Sequence, residues 1–263
     1  MKIAVCLSGQ FRTGEHALKS ALNFFQGHDC DYFCHSWQDN NMRIAGTAGF
    51  RKLIETVDTH HSKEYIQSIL NEKIKPKKLI IDDHSRGSIP DNGPWSEMFY
   101  SLMIANWLKK EYEVENNFKY DLVVKTRYDF VYPPNSTFQP ASYKNEPLTD
   151  HLEIFTYNKN RMYMEYSRIN ASDTVFYGSS NAMDIFCDIY RYLGYRNLTV
   201  NIQDMDSPGP GCLMSEFADK HNIRITSTQG VPDVIYRYDS VGLGLDVVND
   251  YEKIAEMNWA IYK

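Results

Sequence analysis

Residues 2–12 read KIAVCLSGQFR. Lys2 to Leu7 is an apolar run without alternation, closed at once by Ser8-Gly9, and it reads as a strand buried on both faces of a parallel sheet. Ala17, Leu18, Ala21, Leu22 and Phe25 then recur at helical spacing, and a second short run, Asp31 to His35, follows. Strand, loop, helix, strand is the opening of an α/β layer fold.

The same grammar continues outward. Tyr65, Ile66, Ile69 and Leu70 predict a helix ended by Lys75-Pro76, and Lys78 to Ile81 (KLII) another strand. Asp91-Asn92-Gly93-Pro94 is a turn whose proline suits the first helical position. Phe99, Leu102, Met103, Asn106 and Trp107 mark the face of the helix after it. Asp121 to Lys125 (DLVVK) is the next buried strand. Residues 39–60 read as a loop with a helical turn, and 132–170 as a β-rich or loop-rich excursion. Asp173 to Tyr177 predicts a strand. Met183, Phe186, Cys187, Tyr190 and Leu193 predict one helix, capped by Ser179 or Ser180. Ser207 to Gly211 reads as a loop, Leu213 to Ala218 as a helical face and Ile223 to Thr226 as a strand. With no repeat and no flexible linker, the expectation is one domain over residues 1–263, an α/β fold with a mixed, mostly parallel sheet flanked by helices.

Composition narrows the function classes. Of 263 residues, 43% are hydrophobic and 24% charged, enough to bury a full core. Lys+Arg total 28 against Asp+Glu 34, a net charge of -6. That speaks against a broad nucleic-acid coat and leaves a local basic groove open. No apolar stretch reaches the roughly 18 residues of a membrane span. Five scattered cysteines suit reduced thiols and a cytoplasmic location.

Four places carry candidate chemistry. Ser8, Gly9, Gln10 and Arg12 lie between the first strand and the first helix, where α/β sheets bind ligands and helix N-termini meet phosphate. The alternative is an ordinary turn with a surface arginine. Arg127 and Asp129 follow the DLVVK strand, two residues apart and so on one side. They suit sugar hydroxyls and diphosphate, a divalent metal on Asp129, or a plain ion pair. His35 and Trp37 end the second strand, for a hydroxyl or phosphate and for stacking, or for packing alone. Asp173 and Glu216 are carboxylates able to take a proton from an acceptor hydroxyl. Asp204-Met205-Asp206 and Asp82-Asp83 read mainly as loop polarity. A stripe of Lys73, Lys75, Lys77, Lys78, Arg51, Lys52 and Arg86 would face DNA or simply solvent.

Taken in order, MKIAVCLSGQFR, DYFCHSW, FYSLMIANWLKKEYE, YDLVVKTRYDF and SDTVFYGSSNAMDIF resemble small bacterial and bacteriophage glycosyltransferase-like proteins with a Rossmann-like GT-A type fold. The resemblance spans most of residues 1–220. It implies transfer of a sugar from a nucleoside-diphosphate sugar. Ser8, Gly9, Gln10 and Arg12 would be on the nucleotide side with His35 and Trp37 nearby, and Arg127 and Asp129 on the diphosphate and donor sugar. Asp173 and Glu216 would be near the acceptor, and residues 135–170 an acceptor-side insert. The GT-A class carries a D-x-D that holds magnesium or manganese; here the place reads Arg127-Tyr128-Asp129, a cation for one carboxylate. Relatives of this kind include phage enzymes that put sugars, arabinose among them, on hydroxymethylcytosine in DNA. DNA in the host cytoplasm is therefore one implied acceptor, and a surface polysaccharide or other glycan the competing one. A module that binds the nucleotide sugar without turnover is the non-enzymatic alternative.

Overall fold

The computed structural model describes residues 1–38, 42–43, 56–57, 61–83, 95–140, 152–157, 174–195, 210–228, 246 and 249–254. In chain order these form β1 (Lys2–Gln10), α1 (Gly14–Phe24), β2 (Asp29–Gln38), β3 (Met42–Arg43), β4 (Thr56–Val57), α2 (Lys63–Lys73), β5 (Lys78–Asp83), α3 (Ser96–Asn116) and β6 (Leu122–Thr126). They continue with β7 (Glu153–Tyr157), β8 (Phe176–Gly178), α4 (Ser180–Phe186), α5 (Ile189–Tyr195), α6 (Pro210–Lys220) and β9 (Arg224–Thr228).

Seven strands make one sheet in the order β5-β2-β1-β6-β8-β7-β9, and β3 pairs with β4 apart from it. The β5, β2, β1 and β6 strands are mutually parallel. Only β8 runs against its neighbours, and β9 returns parallel to β7. The chain thus forms the expected α/β sheet, mostly parallel and flanked by helices.

The unalternated run of β1 is explained by what covers it. Ala4 and Cys6 face a core shared with Phe99, Leu102 and Ala105 of α3. Ile3 and Val5 face the opposite layer with Ala21 and Phe24 of α1, and Leu7 meets Leu18 of α1 and Ile66 and Leu70 of α2. Helices on both sides leave no solvent face for polar residues to occupy. The Cys6 thiol, buried here, is pushed up to about 12 by desolvation, so it is packing and not a nucleophile.

Three local expectations are corrected. The single helix around Met183–Leu193 is two, because tight bonds from the Asp188 N–H to the Ile185 carbonyl and from the Arg191 N–H to the Asp188 carbonyl turn the chain between α4 and α5. Ser179 caps the first, its Oγ accepting from the Ala182 N–H at 3.2 Å. Pro210 and Gly211 belong to α6 and not to a loop, with proline at the first helical position. Residues 42–43 and 56–57, in the stretch read as a loop with a helical turn, pair instead as β3 and β4; the 132–170 excursion begins as loop, as read, with Tyr132 stacked on Phe24 at 4.1 Å and the Phe138 N–H donating to the Phe24 carbonyl at 2.8 Å.

Candidate active site

All four parallel strands β5, β2, β1 and β6 end at one rim of the sheet, and most of the residues singled out in the sequence lie there. Near the end of β1, Gly9 takes φ +119°, and a Cβ at Gly9 would meet nothing within 4 Å, so it is the backbone angle that calls for glycine. Arg12 sits at φ +46°, an uncommon position for a side-chain-bearing residue. His61 hydrogen-bonds the Arg12 backbone and stacks on Tyr65 at 5.1 Å. Phe11 turns inward, against His61 at 5.6 Å and Tyr128 at 5.5 Å. A Cβ on Gly14 would come within 2.8 Å of that ring, so this second glycine is needed for close approach.

After β6 the chain places Tyr128 in the core. Its hydroxyl is shared between the Leu7 carbonyl at 3.3 Å and the His35 carbonyl at 3.2 Å. This ties the RYD segment to the ends of β1 and β2 and brings Asp129 to Arg12. Arg127 donates from Nε to Oδ1 and from Nη2 to Oδ2 of Asp129, each at 2.8 Å. Arg12 donates from Nη1 to Oδ2 at 2.8 Å and from Nε to the Gln10 side-chain oxygen at 3.0 Å.

The charges in this trio are unequal in exposure. The Asp129 side chain is 2% exposed, whereas those of Arg12 and Arg127 are 30% and 22% exposed. Burial alone would raise the Asp129 carboxyl; the Arg127 and Arg12 guanidiniums outweigh it and hold the carboxyl well below the usual carboxylate range. Asp129 therefore stays ionised, with three charge-assisted donors on its two oxygens. Such a carboxylate is a poor proton acceptor and does not fit the catalytic role read from the sequence. It anchors two guanidiniums, and the trio carries a net positive charge that faces outward through the arginines.

The same saturation bears on a metal. Oδ2 accepts two N–H donors and Oδ1 one, nearly filling the lone pairs of a buried group. A divalent ion takes exposed carboxylate oxygens and would sit here against two fixed positive charges. The residues around Asp129 do not fit magnesium or manganese. Among the described residues no group of three or more His, Cys, Asp or Glu side chains is placed to hold an ion.

In the turn that leads from Arg12 into α1, some amide donors already have partners. The Gly14 N–H donates to the Phe11 carbonyl at 2.8 Å and the His16 N–H to the Thr13 carbonyl at 3.0 Å. Glu15 adds a negative charge in the first turn of α1. The exposed cationic groups at this rim are the guanidiniums of Arg12 and Arg127. Ser8 is buried at the end of β1, beside His35 in register.

His35 and Trp37 face α3 and are core. His35 is fully buried and Trp37 2% exposed. The imidazole lies between Ser101 Oγ, 2.6 Å from Nδ1, and Asp82 Oδ2, 3.1 Å from Nε2. Trp37 packs on the His35 ring at 4.9 Å and on Tyr100 at 5.4 Å, which leaves no face for a base or sugar to stack on. Burial lowers the His35 pKa, and the Asp82 carboxylate only partly offsets this. The neutral ring donates from Nε2 to Asp82 and accepts from Ser101 at Nδ1. Asp82, read from sequence as loop polarity, is a rim carboxylate at the end of β5, 36% exposed. It is steadied by His35 and by the Tyr100 hydroxyl at 3.4 Å.

This arrangement has a pH consequence. A histidine whose folded pKa lies below its ordinary 6.5 contributes stability that is full above that value and is lost on acidification. Resistance to denaturant is expected to weaken as the pH falls below about 6.5. His35→Gln, which does not titrate, is expected to flatten part of that slope. An unchanged slope in the variant would show that His35 is not held neutral.

Glu216 is not brought to the trio. It pairs with Lys220 at 3.4 Å on α6, which packs against β9, α4 and α5 at the other end of the sheet. Asp173 and Asp204 to Asp206 lie outside the described residues, as do Arg51, Lys52 and Arg86 of the basic stripe. Lys77 and Lys78 start β5, at the edge opposite the rim. Lys77 pairs with Asp31 at 3.3 Å, and Lys78 with Glu111 and Glu115 at 2.6 Å, so part of the stripe's charge is met by carboxylates. Sequence reasoning missed His61, Tyr100, Ser101 and the clamping role of Tyr128; a tyrosine between two charged residues at a strand end was the available signal for the last.

No protein-family model matches the chain, and no curated protein does. Among solved structures it is similar to a glycosyltransferase involved in glycosylation of the major capsid of PBCV-1. The identity is 9% and the TM-score 0.42, over 87% of this chain and 83% of that one. It is also similar to mouse xyloside xylosyltransferase 1 in its apo form, at 10% identity and TM-score 0.41, over 87% of this chain and 84% of that one. Likeness this slight carries no functional weight.

Proposed function

We propose that this chain is a glycosyltransferase that moves a sugar from a nucleoside-diphosphate sugar to an acceptor hydroxyl. The observation that carries the reading is the Arg12–Asp129–Arg127 trio at the strand rim, joined to the motif resemblance along residues 1–220. Breaking the anomeric carbon–oxygen bond leaves its electron pair on the nucleoside diphosphate. Arg12 and Arg127, fixed in advance by one buried carboxylate, stabilise that growing charge without reorganising. Bidentate guanidinium geometry suits phosphate oxygens.

Asp129 is not the group that takes the acceptor's proton. Asp82 is the partly exposed carboxylate at the same rim, and Asp173 retains the acceptor-side role the resemblance implies. The acceptor we propose is hydroxymethylcytosine in DNA, exposed from the duplex for reaction. The net charge of -6 favours a second acceptor class, a glycan hydroxyl.

Nucleoside diphosphates are expected to raise the melting temperature, by about 2.7 kcal/mol of stabilisation at a hundred times Kd. Mass spectrometry of hydroxymethylated DNA and of simple glycans, each incubated with a panel of nucleoside-diphosphate sugars, then identifies donor and acceptor. Absence of any thermal shift from every nucleotide and nucleotide sugar would overturn the reading.

A further inference from the structure

We infer that the diphosphate is received by the two guanidiniums alone, with no divalent cation on Asp129. This deepens the reading above and rests on it. A carboxylate that holds a metal must offer it free oxygen lone pairs. Asp129 is 2% exposed and has little to offer: Oδ2 receives both Arg12 Nη1 and Arg127 Nη2 at 2.8 Å. Oδ1 receives Arg127 Nε at 2.8 Å. An ion reaching Oδ2 would have to break a charge-assisted bond, and one taking the remaining lone pair of Oδ1 would sit beside the Arg127 guanidinium.

The second rim carboxylate does not complete a metal site with it. Asp82 Oδ2 is engaged by His35 and Tyr100, at the end of β5. In the sheet order β2 and β1 separate β5 from β6, the strand that leads to Asp129. The positive charge that a metal would bring to a diphosphate is already present in Arg12 and Arg127. Their planar donors are the kind that pair with phosphate oxygens.

The test is isothermal titration of the full chain with uridine, cytidine, adenosine and guanosine diphosphates. Each titration is run once in excess EDTA and once with saturating magnesium or manganese. For whichever nucleotide binds, Kd is expected to differ by less than about fivefold between the two conditions. A Kd loosened about fivefold or more by EDTA overturns this inference and leaves the transferase reading standing. Binding in neither condition overturns the transferase reading itself, and this inference with it.

Discussion

Arg127→Ala is expected to lower sugar transfer by about 10²–10³-fold, the usual cost of removing one preorganised donor from a developing oxyanion. Arg127 makes two of the three bonds on Asp129, so its loss also loosens the carboxylate that fixes Arg12. The protein itself should survive, because Arg12 still pairs with Asp129 at 2.8 Å. Arg127→Lys keeps the charge but cannot reproduce the two-pronged contact, so recovery should be partial. Steady-state kinetics on the donor–acceptor pair found by mass spectrometry would check this, with circular dichroism as the control for folding. Wild-type turnover in the alanine variant would remove Arg127 from the mechanism.

Lys109→Met is expected to destabilise the fold by about 3–5 kcal/mol without touching the rim. Lys109 is fully buried on α3. Its ammonium donates to Glu113 Oε2 at 3.1 Å, Ser180 Oγ at 2.7 Å and Asp184 Oδ1 at 2.7 Å, using all three of its hydrogens. Glu113 also accepts from the Ser180 hydroxyl at 2.7 Å and the Tyr120 N–H at 2.9 Å. Removing the cation leaves the buried Glu113 without its counter-charge and takes from Asp184 its nearest one, with Lys119 at 3.4 Å and Lys110 at 3.8 Å remaining. The melting temperature should fall by roughly 6–20 °C. Adding Glu113→Gln and Asp184→Asn should recover part of it, since the penalty comes from unpaired charge and not from lost volume. A single variant that melts with the wild type would show the network to be dispensable.

These two sites differ in how far the sequence disclosed them. Arg12 and the Arg127/Asp129 couple stand out because each follows a buried strand, and strand ends in a parallel sheet are where chemistry collects. Lys109, Glu113 and Asp184 look like the solvated charges of any amphipathic helix. Nothing in FYSLMIANWLKKEYE distinguishes Lys109, which is buried, from Lys110, which is 54% exposed. Only the packing of α4 onto α3 decides it. His35 and Trp37 show the opposite error. They sit at a strand end and carry the right chemistry, but period-two alternation points them at α3, where Tyr100 and Ser101 close over them.

Alternation and its absence were enough to determine the α/β class, the four parallel strands β1, β2, β5 and β6 and the rim where they end, because burial on two faces leaves a mark in every residue of a strand; β7, which lies between β8 and β9, was not marked in this way. The roles at that rim were not so written. Whether Asp129 takes a proton, binds a metal or anchors two arginines depends on how many donors reach its oxygens, and one of those donors, Arg12, stands 117 residues away in the chain. Tyr128, by tying the loop after β6 to the end of β1, brings them together, and the resulting saturation makes Asp129 an anchor.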